Sequence, residues 1–278
     1  MSDFVKQVGC CNSFEGDAAW VILSPIEQSI KQKIEAVGTP LKDWDINIYR
    51  GVLTGCNEAF IISTEKRDEI LANCQTEDER KRTEELIRPI LRGRDIKRYG
   101  YNWANLWLIN THNGIRGKLE RIHIENYPAV KEHLDQYWDK ISKRADKGDT
   151  PYNLRNCAYL DLFFQPHICW KAVGRKLAFA LVEGGTFLTA PASFISGDNY
   201  NDTILAFLCS PIGTYFIYKN SDTTGAGDIM LNIQSLIKFP IPQRRLDLNG
   251  KTEDEIATEI YSIYGFTNNE IKYIISVQ

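Results

Sequence analysis

IRPILRGRDIKRYGYNWANLWLI, residues 87–109, is the stretch on which the reading of this chain turns. It closes on LWLI, which with Asn110 gives LWLIN, an apolar run with the character of a strand. Its middle, LRGRDIKRYG (residues 91–100), concentrates positive charge around Gly93 and Gly100, glycines that suit a loop bringing backbone amides close to an anion. From Arg80 to Arg98 there are eight cations (Arg80, Lys81, Arg82, Arg88, Arg92, Arg94, Lys97, Arg98) and three acids (Glu84, Glu85, Asp95), a local +5. That charge serves either as a solvated helix face running into a charged turn or as a patch for a polyanion.

The surrounding chain hides this patch. Over 278 residues the formal charge is −3, which taken alone argues against a nucleic-acid partner. From Asp247 onward, however, six acids face two lysines, so the tail carries −4 and the first 246 residues carry +1. Apolar residues at 43% and charged residues at 25% are ordinary for a globular protein and exclude disorder, collagen and coiled coil. No apolar run reaches the roughly 20 residues of a membrane helix. MSDFVKQVG at the N-terminus has no signal-peptide core, and seven scattered cysteines form no disulfide framework. The expectation is a cytoplasmic chain with no membrane partner.

Outward from the basic loop the elements alternate. AWVIL (residues 19–23) reads as a buried strand. Ser24-Pro25-Ile26-Glu27 is a capping box with proline at the first helical position, opening a helix with Ile26, Ile30 and Ile34 on one face and an end near Gly38. WDINIY reads as a strand running into a turn at Arg50-Gly51, and RGVLTGCNEAFII (residues 50–62) as a glycine-bearing turn that ends in a strand-like AFII. Thr76 to Glu79 is a second capping box, for a helix ending near Leu86. Tyr127-Pro128 opens a single amphipathic helix through Val130, Leu134, Tyr137, Trp138 and Ile141. Between Tyr159 and Phe194 short apolar pieces (YLDLFF, HICW, LAFAL, TFLT, SFI) read as strands. A helix follows Asp202 and resumes after Pro211, SDTTGAGD is a loop, and the tail forms two helices broken at Gly265, the second capped by Thr267 and Glu270. The sum is an α+β fold of short twisted strands and several helices with a C-terminal helical hairpin, divided as residues 1–246 and 247–278.

Catalytic chemistry is not legible. There is no Walker loop, GxGxxG or GxSxG, and TTGAGD lacks the lysine of a phosphate cradle. The cysteines and histidines have no zinc spacing, no Asp/Asn-Pro-Pro-aromatic tetrapeptide marks an amino-methyltransferase, and His167 reads as a core histidine. A nuclease reading rests only on Asp247 with Glu270-Ile271-Lys272. The chain is expected to hold no catalytic residues, metal or cofactor of its own.

Several separated segments nevertheless share one pattern: IYRGVLTGCNEAFII (Ile48–Ile62), the stretch Ile87–Ile109, YPAVKEHLDQYWDKISKR (Tyr127–Arg144), FFQPHICW (Phe163–Trp170), IQSLIKFPIP (Ile233–Pro242) and IYSIYGFTNNEI (Ile260–Ile271). In this order they resemble the C-terminal specificity domain of TaqI-like and Eco57I-like type IIG restriction-modification enzymes, single chains with nuclease and adenine-N6 methyltransferase parts. The resemblance implies a target-recognition domain that docks on double-stranded DNA. It also implies N-terminal methyltransferase and nuclease domains in a longer parent chain, with S-adenosylmethionine and Mg2+ serving that parent. A phage-exclusion methyltransferase without a nuclease is an alternative parent. A structural or protein-interaction role, through the Ile256, Ile260 and Ile263 side of the tail, is another alternative.

Under the DNA reading, Arg92, Arg94, Lys97 and Arg98 neutralise phosphates, with Asp95 paired inward as the competing use of the loop. Arg50, Thr54, Asn57 and Glu58 sit on the turn, where arginine suits guanine and asparagine adenine. The same RGxxTG motif equally suits a turn that only orients strands. Tyr99, Tyr101, Trp103 and Trp107 offer stacking surface or core, and Lys171 lies on a further candidate edge. The DNA-contact set is thus Arg50, Thr54, Asn57, Arg92, Arg94, Lys97, Arg98, Tyr99 and Lys171.

Overall fold

A computed structural model describes residues 23–197 and 201–277. All but the last residue of the strand expected at 19–23 lies outside them. The chain divides into two compact units rather than at residue 246. One comprises the described residues of Met1–Trp44 with Ala206–Ser221 and Ile233–Gln278; the other comprises Asp45–Leu205 with Asp222–Asn232. The acidic tail therefore falls in the same compact unit as helix Pro25–Val37. Together the described residues form eleven helices and several small sheets, a mixed α+β architecture.

In the first unit, helix Pro25–Val37 has the expected cap: Ser24 accepts from the Glu27 amide while the Glu27 carboxylate accepts from the Ser24 amide. Its Ile30 and Ile34 are buried. The tail helices Glu253–Tyr264 and Asn268–Ser276 each begin with a complete capping box, and Gly265 between them takes the left-handed conformation. Ile256, Ile260 and Ile274 are buried, so this side of the tail is core. Glu270 is buried too, accepting from Thr267, from Ser29 Oγ at 2.6 Å and from Lys33 Nζ at 2.7 Å. Burial raises its pKa, but these donors outweigh that and hold it down at about 2. Glu270 thus locks the tail to helix Pro25–Val37.

The second unit is built on two four-stranded sheets. The first runs Phe179–Val182, His167–Trp170, Ser193–Ser196, Asn47–Arg50, entirely antiparallel, with Trp170 opposite Ser193 and Ser193 opposite Arg50. The second runs Phe187–Leu188, Ile87–Leu91, Leu106–Ile109, Ile61–Ser63, with only Phe187–Leu188 parallel to its neighbour. Their apolar faces share one core, in which Phe163 stacks on Phe187 at 4.6 Å between ring centroids and leans on Phe194. His167 is fully buried, its Nδ1 2.9 Å from the Gln165 carbonyl, and burial lowers its pKa, as suits a neutral core histidine.

Several local expectations fail for physical reasons. YLDLFF forms a 3-10 helix, Leu160–Phe164, because its buried Leu160 and Phe163 are three residues apart. The helix from Pro128 stops at Asp135 and restarts as Trp138–Ile141, leaving Trp138 45% exposed. AFII divides between a helical turn, Asn57–Phe60, and strand Ile61–Ser63. SDTTGAGD is the turn of a hairpin, pairing Asp222–Thr223 with Ile229–Met230. Thr76 caps helix Glu77–Leu86, but the box is half made. Glu79 is buried and accepts instead from the Gln75 amide at 2.9 Å and the Ala129 amide at 3.0 Å, so it caps the helix Pro128–Asp135, about fifty residues on.

Candidate nucleic-acid interface

The turn after strand Asn47–Arg50 is held from behind. The Gly51 and Val52 amides donate to Ala192 and Leu188, each at 2.7 Å. A Cβ on Gly51 would lie 2.4 Å from the Leu188 carbonyl oxygen, a contact only glycine avoids. Gly55 sits at φ +66°. Both glycines of RGxxTG therefore have backbone reasons, as the strand-orienting reading expects.

Thr54 must be corrected as a DNA contact. It is 2% exposed, and its hydroxyl donates to Asn57 Oδ1 at 2.6 Å while accepting from the Cys56 amide. It fixes the Asn57 carboxamide, turning the amide nitrogen to other partners. Beneath it lies Arg144, 7% exposed, a residue no sequence signal singled out. Its guanidinium donates to the carbonyls of Thr54, Asp146, Pro151 and Asn153 and covers the Phe60 ring at 4.4 Å. Burial pulls its pKa down to about 10, so it stays charged at neutral pH.

The basic loop is mostly committed inward. Arg92 grips Asp95 with two bonds, Nε–Oδ2 3.0 Å and Nη2–Oδ1 2.8 Å, while the Arg92 amide donates to the same carboxylate. Asp95 is buried; burial pushes its pKa up, and the Arg92 bonds more than reverse this. Arg92 is thus corrected from a free phosphate ligand to the partner of Asp95, the inward pairing foreseen as the alternative. Lys97 donates to the Arg94 carbonyl at 3.0 Å. Arg98 lies over the Tyr99 ring at 5.0 Å at the tip of the hairpin Ile96–Lys97/Gly100–Tyr101. Tyr99, at φ +62°, is held there by the hydrogen bond its backbone amide donates to the Phe179 carbonyl. Earlier in the stretch, Arg80 is 3.8 Å from Glu77 and Arg82 reaches the Asn126 carbonyl.

What remains forms a groove of about 750 Å3. It is lined by Asn57 and Glu58, by Arg92 to Arg94, and by Lys171 with Thr189 and Pro191. The loop and the edge touch, since a Cβ on Gly93 would meet Lys171 Cβ at 3.3 Å. The Lys171 stem lies over Gly174, where a Cβ would come within 2.7 Å of its ammonium. Glu58 is neutralised by Lys140 at 2.8 Å and Arg92 by Asp95. Among the described residues Arg94 and Lys171 have no hydrogen bond or ion pair from their side chains, so the groove is positive with an amide donor, Asn57, at its edge. Of the nine expected contacts the structure brings together four: Asn57, Arg92, Arg94 and Lys171. Lys97, Arg98 and Tyr99 stand on the hairpin, Thr54 behind the turn, and Arg50 in a different pocket. Trp107 is half-buried, bonded to Thr64 and covered by Arg67, while Trp103, 36% exposed, packs edge-on against it at 5.1 Å.

No group of three or more His, Cys, Asp or Glu among the described residues is placed to hold a metal ion, and no described helix is long and apolar enough to cross a membrane. No protein-family model matches the sequence, and no curated protein does. Solved structures do match in fold. The type IIL restriction-modification enzyme MmeI in complex with DNA aligns with a TM-score of 0.58 and 12% identity over 86% of this chain and 35% of its own. The type IIG restriction endonuclease BpuSI aligns with a TM-score of 0.51 and 14% identity over 91% of this chain and 31% of its own. The chain thus spans about a third of each.

Proposed function

We propose that this chain is a DNA-recognition module of a restriction-modification enzyme, reading a duplex site for methyltransferase and nuclease domains carried elsewhere in a longer parent. The observation that carries this reading is the convergence of the Asn57 turn, the Arg94 loop and Lys171 on one groove whose two uncommitted cations face no uncompensated acid. The shared fold with two restriction-modification enzymes, one of them in complex with DNA, supports it.

In this reading Arg94 and Lys171 hold phosphates and set register, which carries no sequence information. Asn57, its carboxamide oriented by Thr54, reads a base edge. Lys97 and Arg98 on the hairpin extend the phosphate contact. S-adenosylmethionine and Mg2+ act in the parent's other domains. A TaqI-like specificity subfamily and a cytoplasmic setting belong to the same proposal.

The test is selection from a randomised duplex pool by the intact chain and by its parent. Replacing Arg94 and Lys171 together by alanine should weaken all sequences alike and flatten the salt dependence by about 0.9 per lost phosphate contact. Asn57→Ala should relax preference at one position instead. Unchanged affinity and salt slope in the double variant would remove the groove from the interface.

A further inference from the structure

A second pocket in the same unit shares no lining residue with the groove. It encloses about 290 Å3 between the start of the turn (Arg50 to Leu53), Asn110, His112 and the segment Leu154 to Leu160. Among the described residues no acid lines it, while two arginines and a histidine do. Asn110 lines it at only 4% exposure, and its Oδ1 has no hydrogen-bond partner among the described residues. A buried carboxamide left unbonded costs about 1–3 kcal/mol and calls for a ligand or water to complete it.

The other polar groups are poised as donors. The Gly114 amide donates to His112 Nδ1 at 3.2 Å, which leaves the proton of the neutral ring on Nε2. Burial lowers the His112 pKa, so the ring is neutral at physiological pH. The Asn156 Oδ1 is taken by Asn113, leaving its amide nitrogen to donate. Arg155 is shared with Asp146 at 3.0 Å, whereas the Arg50 guanidinium is exposed with no side-chain partner among the described residues. Val52, Leu53, Leu154, Leu160 and Tyr159 make the apolar wall. Tyr159 is pinned by its bond to the Arg50 carbonyl at 3.1 Å and by stacking on Tyr49 at 4.0 Å.

We infer that this pocket binds a single nucleotide, its base edge on the Asn110 carboxamide against the apolar wall and its phosphate at Arg50. Asparagine presents the donor–acceptor pair that matches adenine, and flat rings pack well between hydrocarbon and aromatic walls. The volume admits one such unit and not a dinucleotide. Uptake of a free nucleotide is independent of the groove; delivery of the same unit by a DNA strand, as an extrahelical nucleotide, rests on the DNA reading above.

The experiment is calorimetric titration of the whole chain with 2′-deoxyadenosine 5′-monophosphate and, separately, inorganic phosphate. Asn110→Leu should keep or raise the melting temperature, since no bond is lost, yet weaken the nucleotide at least about tenfold while sparing phosphate. Arg50→Ala should weaken both. A duplex with a central mismatch, whose base leaves the stack readily, should outbind the matched duplex only with Asn110 present if DNA is the source. Equal duplex binding together with nucleotide binding assigns the pocket to free nucleotide. No heat with nucleotide at about 5 mM, or nucleotide binding indifferent to Asn110→Leu, overturns the inference. Unchanged duplex binding in the Arg94/Lys171 double variant, with nucleotide affinity lost only in Asn110→Leu and Arg50→Ala, removes the groove and leaves the pocket standing, so the two readings fail separately.

Discussion

Replacing Arg144 by methionine should soften the second unit and, under the DNA-recognition proposal, blunt sequence preference, because one buried guanidinium carries the Thr54 turn. Four carbonyls lose a charged donor. At about 1.5–3 kcal/mol each, the gross loss is roughly 6–12 kcal/mol. Against this stands relief from burying the charge: a pKa brought from 12.5 to about 10 corresponds to roughly 3 kcal/mol. Methionine retains packing on Phe60, and some of the carbonyls can hydrate, which puts the net cost near the low end, about 3 kcal/mol. For a domain of this size that is a fall of roughly 6–12 °C in melting temperature, read by scanning calorimetry or near-ultraviolet circular dichroism. Arg144→Lys should not restore stability, since a point charge with one nitrogen cannot span four acceptors. With the turn released, Asn57 loses its fixed carboxamide, so duplex selection should show relaxed preference similar to that of Asn57→Ala. A melting temperature within about 2 °C of the unsubstituted chain, with preference intact, would refute this account of the turn.

Other perturbations test other joints. Glu270 has a folded pKa, about 2, below its ordinary 4.5, so its stabilisation is complete above pH 4.5 and is lost as pH falls towards 2. It amounts to about 3 kcal/mol in acid titration of the wild type and should vanish in Glu270→Gln. Glu79→Ala should lower thermal stability by about 1–3 kcal/mol through the uncapped Pro128–Asp135 helix, with hydrogen exchange accelerating at Ala129 and Gln75. Gly51→Ala forces a Cβ into the Leu188 carbonyl and should cost several times the usual preference for alanine, detectable as a lost or depressed unfolding transition.

Local signals read well from the sequence and distant ones did not. The boxes at Ser24/Glu27 and Thr267/Glu270 are complete within four residues, and both form as read. Thr76/Glu79 has the same spelling, but its glutamate is drawn to a helix some fifty residues away, information no four-residue window contains. The charge of LRGRDIKRYG marked the correct loop, yet not which cation remains outward. Asp95 selects Arg92, and only the fold decides that Arg94 meets Lys171 at one groove. Arg144 sat in SKRAD looking like any solvated cation, because nothing local distinguishes an arginine that will find four carbonyls.

The bond from Glu270 to Ser29 and Lys33 joins positions 241 and 237 residues apart. Synthesis proceeds at roughly 5–20 residues per second, so helix Pro25–Val37 waits on the order of 10–50 s for its clasp to be made. The span Asp45–Leu205 is continuous and can condense as it emerges, while the unit begun first is completed last. For that interval the nascent chain presents Ile30 and Ile34 without their final cover. This unit, rather than the one built on Asp45–Leu205, is where chaperone capture and mispairing between growing chains should concentrate.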